Sequence, residues 1–184
     1  VATAPRKNSK YWSAGTLTWP QLVAWVKDPA DEKECGNYLL GTLKGKERRK
    51  DTIESRSALA LDADYAEPEL LETLAEQEWL SLAHTTYNST EDSPRWRVII
   101  PLKREVTPLE YTELARKVMH LLGEHQFDRT CAEPSRFMYK PAAADFADYD
   151  YYLSDSEEVL DPDEFFSGPV MDWDAPKPSH NKRD

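Results

Sequence analysis

Leu59-Ala60-Leu61-Asp62-Ala63-Asp64 carries the most information in this chain. The apolar run from Ser57 to Leu61 reads as a short buried strand. Residues i and i+2 of a strand point to the same face, so Asp62 and Asp64 present two carboxylates side by side at the strand end. Like charges this close repel and are costly to desolvate, and they ordinarily require a cation. Hard divalent ions such as Mg²⁺ or Mn²⁺ prefer oxygen ligands of this kind. A solvated strand end opening into an acidic turn is the plainer reading of the same residues. Removing one acid of such a cluster relieves repulsion, so metal-free stability is expected to hold or rise.

Downstream of this strand, Pro68 opens a predicted helix with Leu70, Leu71 and Leu74 on one face. Leu80 to Tyr87 and Trp96 to Pro101 read as two strands around the polar turn Asn88 to Pro94. Thr107-Pro108-Leu109-Glu110 is a capping box with Pro at the first helical position. Its helix runs to about Gly123, with Leu114, Val118, Leu121 and Leu122 on the expected buried side. Arg136 to Lys140 is a last short strand. Upstream, residues 1–10 are polar and expected to be loose. Thr18-Trp19-Pro20-Gln21 starts another capped helix, Tyr38-Leu39-Leu40 reads as a strand, and Lys44 to Lys50 forms a basic loop or hairpin tip. The mixed order fits an α/β or α+β sheet with helices packed on it. From Ser57 to Lys140 the order β-α-β-β-α-β is ferredoxin-like if one weak strand is allowed. No internal repeat is present.

The 184 residues are enough for one sizeable core with appendages, and 40% hydrophobic residues with 6 Trp and 9 Tyr exclude a wholly disordered chain. No apolar run approaches the roughly 18 residues that span a bilayer. No signal peptide is visible. Cys35 and Cys131 lie far apart and read as reduced thiols of a cytosolic protein. The chain begins at Val1 and ends in a polar tail, which reads as a segment of something longer, or a processed chain. Taken as a total, the net charge of -11 argues against a polyanionic partner. Its distribution does not: Asp145 to Asp174 holds 11 acids and no Lys or Arg, leaving the rest of the chain with equal numbers of acids and bases. A neutral body with basic clusters can bind nucleic acid. The expected organisation is a body over 1–144 and an acidic segment over 145–184. That segment carries Tyr149, Tyr151, Tyr152, Phe165, Phe166 and Trp173. It is either a linker whose aromatics pack on the body, or a mimic of single-stranded DNA that covers a basic groove or docks on a partner.

Asp128, in Gln126-Phe127-Asp128, is the candidate third acid. With Asp62 and Asp64 it would complete a site for two metals roughly 3.5–4 Å apart, the arrangement that stabilises attacking and leaving oxygens in phosphoryl transfer. Candidate anion ligands follow. The stretch Ser81 to Thr90 is dense in short donors, and Arg95 and Arg97 stand at same-face spacing on the next strand. Arg97 and Arg136 are hemmed in by apolar neighbours and read as pocket residues. Arg suits phosphate through its planar fork of donors. A polar hairpin with surface charges accounts equally for Thr85, Thr86 and Arg95, and a hydrogen-bonded core position for His84. Five of the seven residues Lys44 to Lys50 are basic and form either a polyanion grip or a solvated loop. Gly36-x-x-x-x-Gly41 lacks the Walker lysine, no zinc-ligand spacing occurs, and no G-x-S-x-G elbow is present.

These residues resemble the primase-polymerase domains of the archaeo-eukaryotic primase superfamily, in their phage and plasmid form. Asp62-Ala63-Asp64 fits that family's D-x-D and Phe127-Asp128 its third acid. Arg97-Val98-Ile99-Ile100-Pro101-Leu102, Thr107-Pro108 with Glu110-Tyr111, and Glu133-Pro134-Ser135-Arg136 also look like this group. The resemblance covers about residues 20–141. It departs at the second motif, because no Ser-x-His occurs in Ser81 to Thr90: either His84 acts from a shifted position or Ser89 occupies the usual His place. The resemblance implies an RRM-like catalytic sheet joined to a small N-terminal α/β unit. It implies template-directed addition of NTPs or dNTPs on single-stranded DNA, with Asp62, Asp64 and Asp128 holding two Mg²⁺ or Mn²⁺. His84, Thr86, Ser89, Arg97, Arg136 and Lys140 would hold phosphates, and Lys46, Arg48, Arg49 and Lys50 the template. A fused helicase domain and the cytoplasm of a bacterial host are further expectations. A metal-dependent nuclease using the same acids, and a non-catalytic nucleic-acid module on an RRM-like sheet, remain as alternatives.

Overall fold

The computed structural model describes residues 1–169. Two antiparallel sheets form its frame. The larger contains β4 (Gly41–Leu43), β5 (Ile53–Ala63), β6 (Leu82–Thr85), β7 (Trp96–Val106) and β9 (Tyr151–Leu153), in the order β4-β5-β7-β6-β9. The smaller contains β1 (Ala2–Ala4), β2 (Ser13–Ala14), β3 (Asn37–Leu39) and β8 (Met138–Tyr139), in the order β2-β1-β3-β8. Four helices accompany them: α1 (Trp19–Lys27), α2 (Leu70–Ala75), α3 (Pro108–Gly123) and α4 (Asp163–Phe166). This is the mixed α/β fold class expected from the element order.

The run that reads as a buried strand is the spine of the large sheet. Every residue from Ala58 to Ala63 is buried, as a strand covered on both faces requires. Helix α3 packs on β5 and β7, burying Tyr111, Leu114, Ala115, Val118, Met119 and Leu122. Leu121, expected on that side, is exposed because its position turns toward solvent. Both capping boxes form. Thr18 and Gln21 exchange side-chain and backbone bonds at α1, and Thr107 and Glu110 do so at α3.

The β5-α2-β6-β7 core is ferredoxin-like, with β7 between β5 and β6. The fourth strand differs from expectation. The Arg136 to Lys140 strand was expected to complete this sheet, but its two-residue remnant β8 pairs with β3 in the small sheet. The edge of β5 is already occupied by β4, which packs so closely that a Cβ on Gly41 would lie 2.1 Å from the Ser55 carbonyl oxygen. Leu40 joins β3 to β4, so one continuous segment crosses between the sheets. Residues 1–10 are also more ordered than expected. Ala2 and Ala4 enter a second core with Trp12, Leu39 and Ile53, and Thr3 between them pairs with Tyr38. The basic run Lys44 to Lys50 lies at the tip joining β4 to β5.

The acidic segment does not begin as a separate body. Its Tyr151–Leu153 adds strand β9 to the large sheet, Tyr149 Oη donates to the Val26 carbonyl at 2.6 Å, and Phe165 and Phe166 pack on the core. Trp173 lies outside the described residues. Among the described residues no helix is long and apolar enough to cross a membrane.

Candidate active site

Three neighbouring strands of the large sheet aim the candidate residues into one cavity. Across the ladder Asp62 faces Arg97, and Arg97 faces His84. Two residues on or back along each chain stand Asp64, Arg95 and Thr86, on the same face by strand alternation. All six line a cavity of about 410 Å³. The i, i+2 spacing of Asp62 and Asp64 thus does what it was expected to do, and Arg95/Arg97 and His84/Thr86 do the same on the strands beside it.

Asp128 is not among the residues that line this cavity, and loop stitching holds it beside Asp62 instead. Gly123 takes φ +100° and ends α3, a conformation that favours glycine. The following turn is tied to the β5–α2 loop. Gln126 accepts from the Tyr65 N–H at 3.1 Å on its backbone oxygen and from the Glu67 N–H at 2.8 Å on its side chain. The Asp128 N–H then donates to the Asp62 carbonyl at 2.8 Å, and the Asp62 N–H donates to the buried Cys131 Sγ at 3.1 Å. Asp128 also caps the turn Arg129–Ala132, accepting from the Thr130 N–H at 2.9 Å. Arg56 donates to the Pro134 carbonyl at 2.8 Å and Arg48 to the Ser135 carbonyl at 2.6 Å, which fixes the segment that presents Arg136.

The electrostatics separate the acids. Asp62 is held by the Arg97 fork, Nε to Oδ1 at 2.6 Å and Nη2 to Oδ2 at 3.1 Å, with both side chains under 10% exposed. Arg136 Nη2 adds a contact to Asp62 Oδ2 at 3.2 Å and to Asp128 Oδ2 at 3.0 Å. Burial alone would raise the Asp62 pKa, but Arg97 and Arg136 outweigh it and hold the carboxyl below its ordinary value. Among the described residues Asp64 has one ion-pair partner, Arg95 at 3.9 Å, and its pKa is raised by burial and by the charges of Asp62 and Asp128. The expectation that either acid can be removed without cost therefore fails for Asp62, whose carboxylate neutralises a buried guanidinium.

The donor set of hard carboxylate oxygens suits Mg²⁺ or Mn²⁺. A positive group already stands between two of the three acids, since one nitrogen of Arg136 contacts both Asp62 and Asp128. As placed, no three carboxylate, His or Cys side chains among the described residues are gathered closely enough to hold an ion. Asp62 Oδ2 accepts from two guanidinium groups, so withdrawal of Arg136 would release one of its lone pairs.

His84 is fully buried, and its Nδ1 lies 2.8 Å from the Thr85 carbonyl, which can only accept. Nε2 is therefore the unprotonated nitrogen, and it is buried with no hydrogen-bond partner among the described residues. Burial and the charge of Arg97 push the imidazole down to about 4. A neutral ring offers an acceptor to the cavity, and a bond to phosphate oxygen would require it to gain a proton. Arg97 is committed to Asp62 and to the Tyr139 carbonyl, at 2.8 Å for the latter. Ser89 stands outside the cavity lining and accepts from the Arg95 N–H at 3.0 Å within the turn. Lys140 lines the cavity, with Nζ 4.4 Å from the Trp25 ring centroid. Of the basic tip, Arg48 lines it. Lys46 and Lys50 are exposed, and Arg49 is near Glu47 and Asp51 at 3.7 and 3.5 Å. Tyr87 and Asn88, within the donor-dense stretch Ser81 to Thr90, also line the cavity, as do Lys33, Phe137 and Tyr139, which were not among the candidates. Ring positions alternating along Phe137-Met138-Tyr139 were a usable signal, obscured by the charges of Arg136 and Lys140.

A sequence model of the VapE N-terminal domain matches residues 26–177. The chain belongs to the VapE N-terminal domain family. Its fold is also that of a phage primase-polymerase. The AEP domain of the cyanophage S-2L Primase-Polymerase (PrimPol) superposes with a TM-score of 0.51 at 18% identity, covering 90% of this chain and 85% of that one. The fold class and the resemblance drawn from Asp62-Ala63-Asp64 and Phe127-Asp128 agree with both findings. A search of curated proteins finds no match.

Proposed function

We propose that this domain of the VapE N-terminal family is a metal-dependent nucleotidyltransferase that makes or extends primers on single-stranded DNA. The observation that carries the reading is the convergence of Asp62, Asp64, Arg95, Arg97, His84 and Thr86 from three adjacent strands on one cavity. The primase-polymerase fold supports it. In this reading Asp62, Asp64 and Asp128 would hold divalent cations, which would supply charge neutralisation for a triphosphate and acidification of the attacking hydroxyl. Arg136 is the mobile counter-charge: it rests on Asp62 and Asp128 and moves to phosphate when nucleotide arrives. Arg97 keeps Asp62 ionised and aimed. Arg95, Thr86 and Lys140 meet the phosphates from the cavity wall, and His84 joins them on taking up a proton. A helicase elsewhere in the natural chain and a bacterial cytoplasmic setting complete the proposal.

A second reading, a nucleic-acid-binding module without catalysis, draws on the double guanidinium hold on Asp62. One experiment separates them. The protein is incubated with primed and unprimed single-stranded DNA, Mn²⁺ and labelled nucleotides. Products longer than the input, lost in Asp64→Asn, are expected. Shortened products would indicate a nuclease, and binding without any product would favour the module.

A further inference from the structure

Part of the cavity wall is made of rings and cations from the small sheet and its flanks. Phe137 meets Trp12 edge-on at 5.6 Å between centroids and Tyr139 at 5.7 Å. The Arg48 guanidinium lies 4.6 Å from the Phe137 centroid and 5.3 Å from that of Trp12, anchored by its bond to the Ser135 carbonyl. Lys33 Nζ stands 5.7 Å from the Tyr139 centroid. Trp12 is core, at 4% exposure, but Phe137 and Tyr139 are only half-buried and line the cavity that also holds Asp62 and Asp64.

The charges here lack counterparts. No carboxylate lies within ion-pair distance of Arg48, Lys33 or Lys140 among the described residues, although the chain carries a net charge of -11. Arg48 is half-buried, its Nε has no hydrogen-bond partner among the described residues, and burial lowers its pKa. A desolvated cation left unpaired beside open ring surface is suited to a ligand that is both anionic and planar. Aromatic surface interleaved with Arg and Lys is the general solution for holding unpaired nucleic acid, stacking on the bases and neutralising the backbone.

We propose that Phe137, Tyr139 and Arg48 form a stacking platform for an unpaired base of single-stranded DNA, with Lys33 taking its phosphate. This rests on reading the cavity as a nucleotide-handling site. A strand, rather than a free nucleotide, is assigned because Arg48 belongs to the tip that carries Lys44, Lys46 and Lys50 into solvent, extending positive charge beyond one nucleotide.

The test compares labelled oligothymidylate with an abasic strand of equal length and charge, by fluorescence anisotropy over a range of salt. The wild-type protein is expected to prefer the base-bearing strand by about fivefold or more, the span of a single base–aromatic stack. Phe137→Leu and Tyr139→Leu retain apolar packing and are expected to erase most of that preference while leaving the salt dependence unchanged. Equal wild-type affinity for the two strands overturns the platform, and so does a preference that survives the double Leu variant. That first comparison needs no variant, so a Leu protein that fails to fold leaves the test intact. Competition by free thymidine triphosphate that is lost in Phe137→Leu would assign the platform to the incoming nucleotide and overturn the strand assignment. Base preference without primer synthesis would refute the catalytic reading alone, and synthesis without base preference would refute the platform alone.

Discussion

Asp62 and Asp64 stand two residues apart on one face, yet their replacement is expected to have opposite consequences for the fold. Asp62→Asn removes the charge that neutralises Arg97, and both side chains of that pair are under 10% exposed. Breaking a buried pair by deleting one partner costs about 3–5 kcal/mol, because the remaining charge stays desolvated. For a domain of this size each kcal/mol moves the melting temperature by about 2–4 °C. Asp62→Asn should therefore melt on the order of 10 °C below wild type. Asp64 has no comparable partner: Arg95 stands 3.9 Å away, and burial with the neighbouring acids raises its pKa. Asp64→Asn should melt at or slightly above the wild-type temperature.

The pH dependence carries the same asymmetry. Asp62 has a depressed folded pKa, so its contribution is present above the unfolded value near ~3.9 and is lost as pH falls through the folded value. Asp64 has a raised folded pKa, so its penalty appears as pH rises through that value and is absent in acid. Differential scanning calorimetry in EDTA, at neutral pH and in acid, measures both. The double variant Asp62→Asn/Arg97→Gln should recover part of the loss, since it removes both charges together. Equal melting temperatures for the two single variants at neutral pH would refute the assignment of Asp62 as the counter-charge of Arg97.

Two further outcomes follow from the same geometry. His84 is neutral in the fold down to about pH 4 but titrates near ~6.5 when unfolded, so stability is full above that value and falls by about 2 kcal/mol between pH 7 and pH 5; urea unfolding should show this loss reduced in His84→Gln, and an unchanged pH slope would refute it. Arg136→Gln removes the guanidinium shared by Asp62 and Asp128, so Mn²⁺ binding followed by electron paramagnetic resonance should strengthen on the order of tenfold without nucleotide, whereas Arg136→Lys should stay near wild type. Weaker Mn²⁺ binding in the Gln variant would show that Arg136 does not compete for the cation position.

What could be read before the fold was known is what local chemistry determines. Thr18 with Gln21 and Thr107 with Glu110 cap their helices through contacts three residues apart, so residue type and spacing suffice. The placement of Asp62 beside Asp64 needs only the alternation of one strand. The pairing of Asp62 with Arg97 is different. It depends on the register of β5 against β7, which shifts between Arg56 and Ala58, and such a shift has no signature in either strand alone. Short strands were misplaced or missed for a related reason: the strand within Arg136 to Lys140 was expected, but not the sheet it joins. β8 has two residues and so no period to detect, and its sheet was decided by β4 reaching the edge of β5 first. In Tyr151–Leu153 the flanking acids hid an apolar run that nonetheless closes the large sheet. The site is thus legible where one strand's alternation builds it. It is illegible where two strands, or a strand and a loop, must first be brought into register. This division explains why the acids and arginines were found while their mutual neutralisation was not.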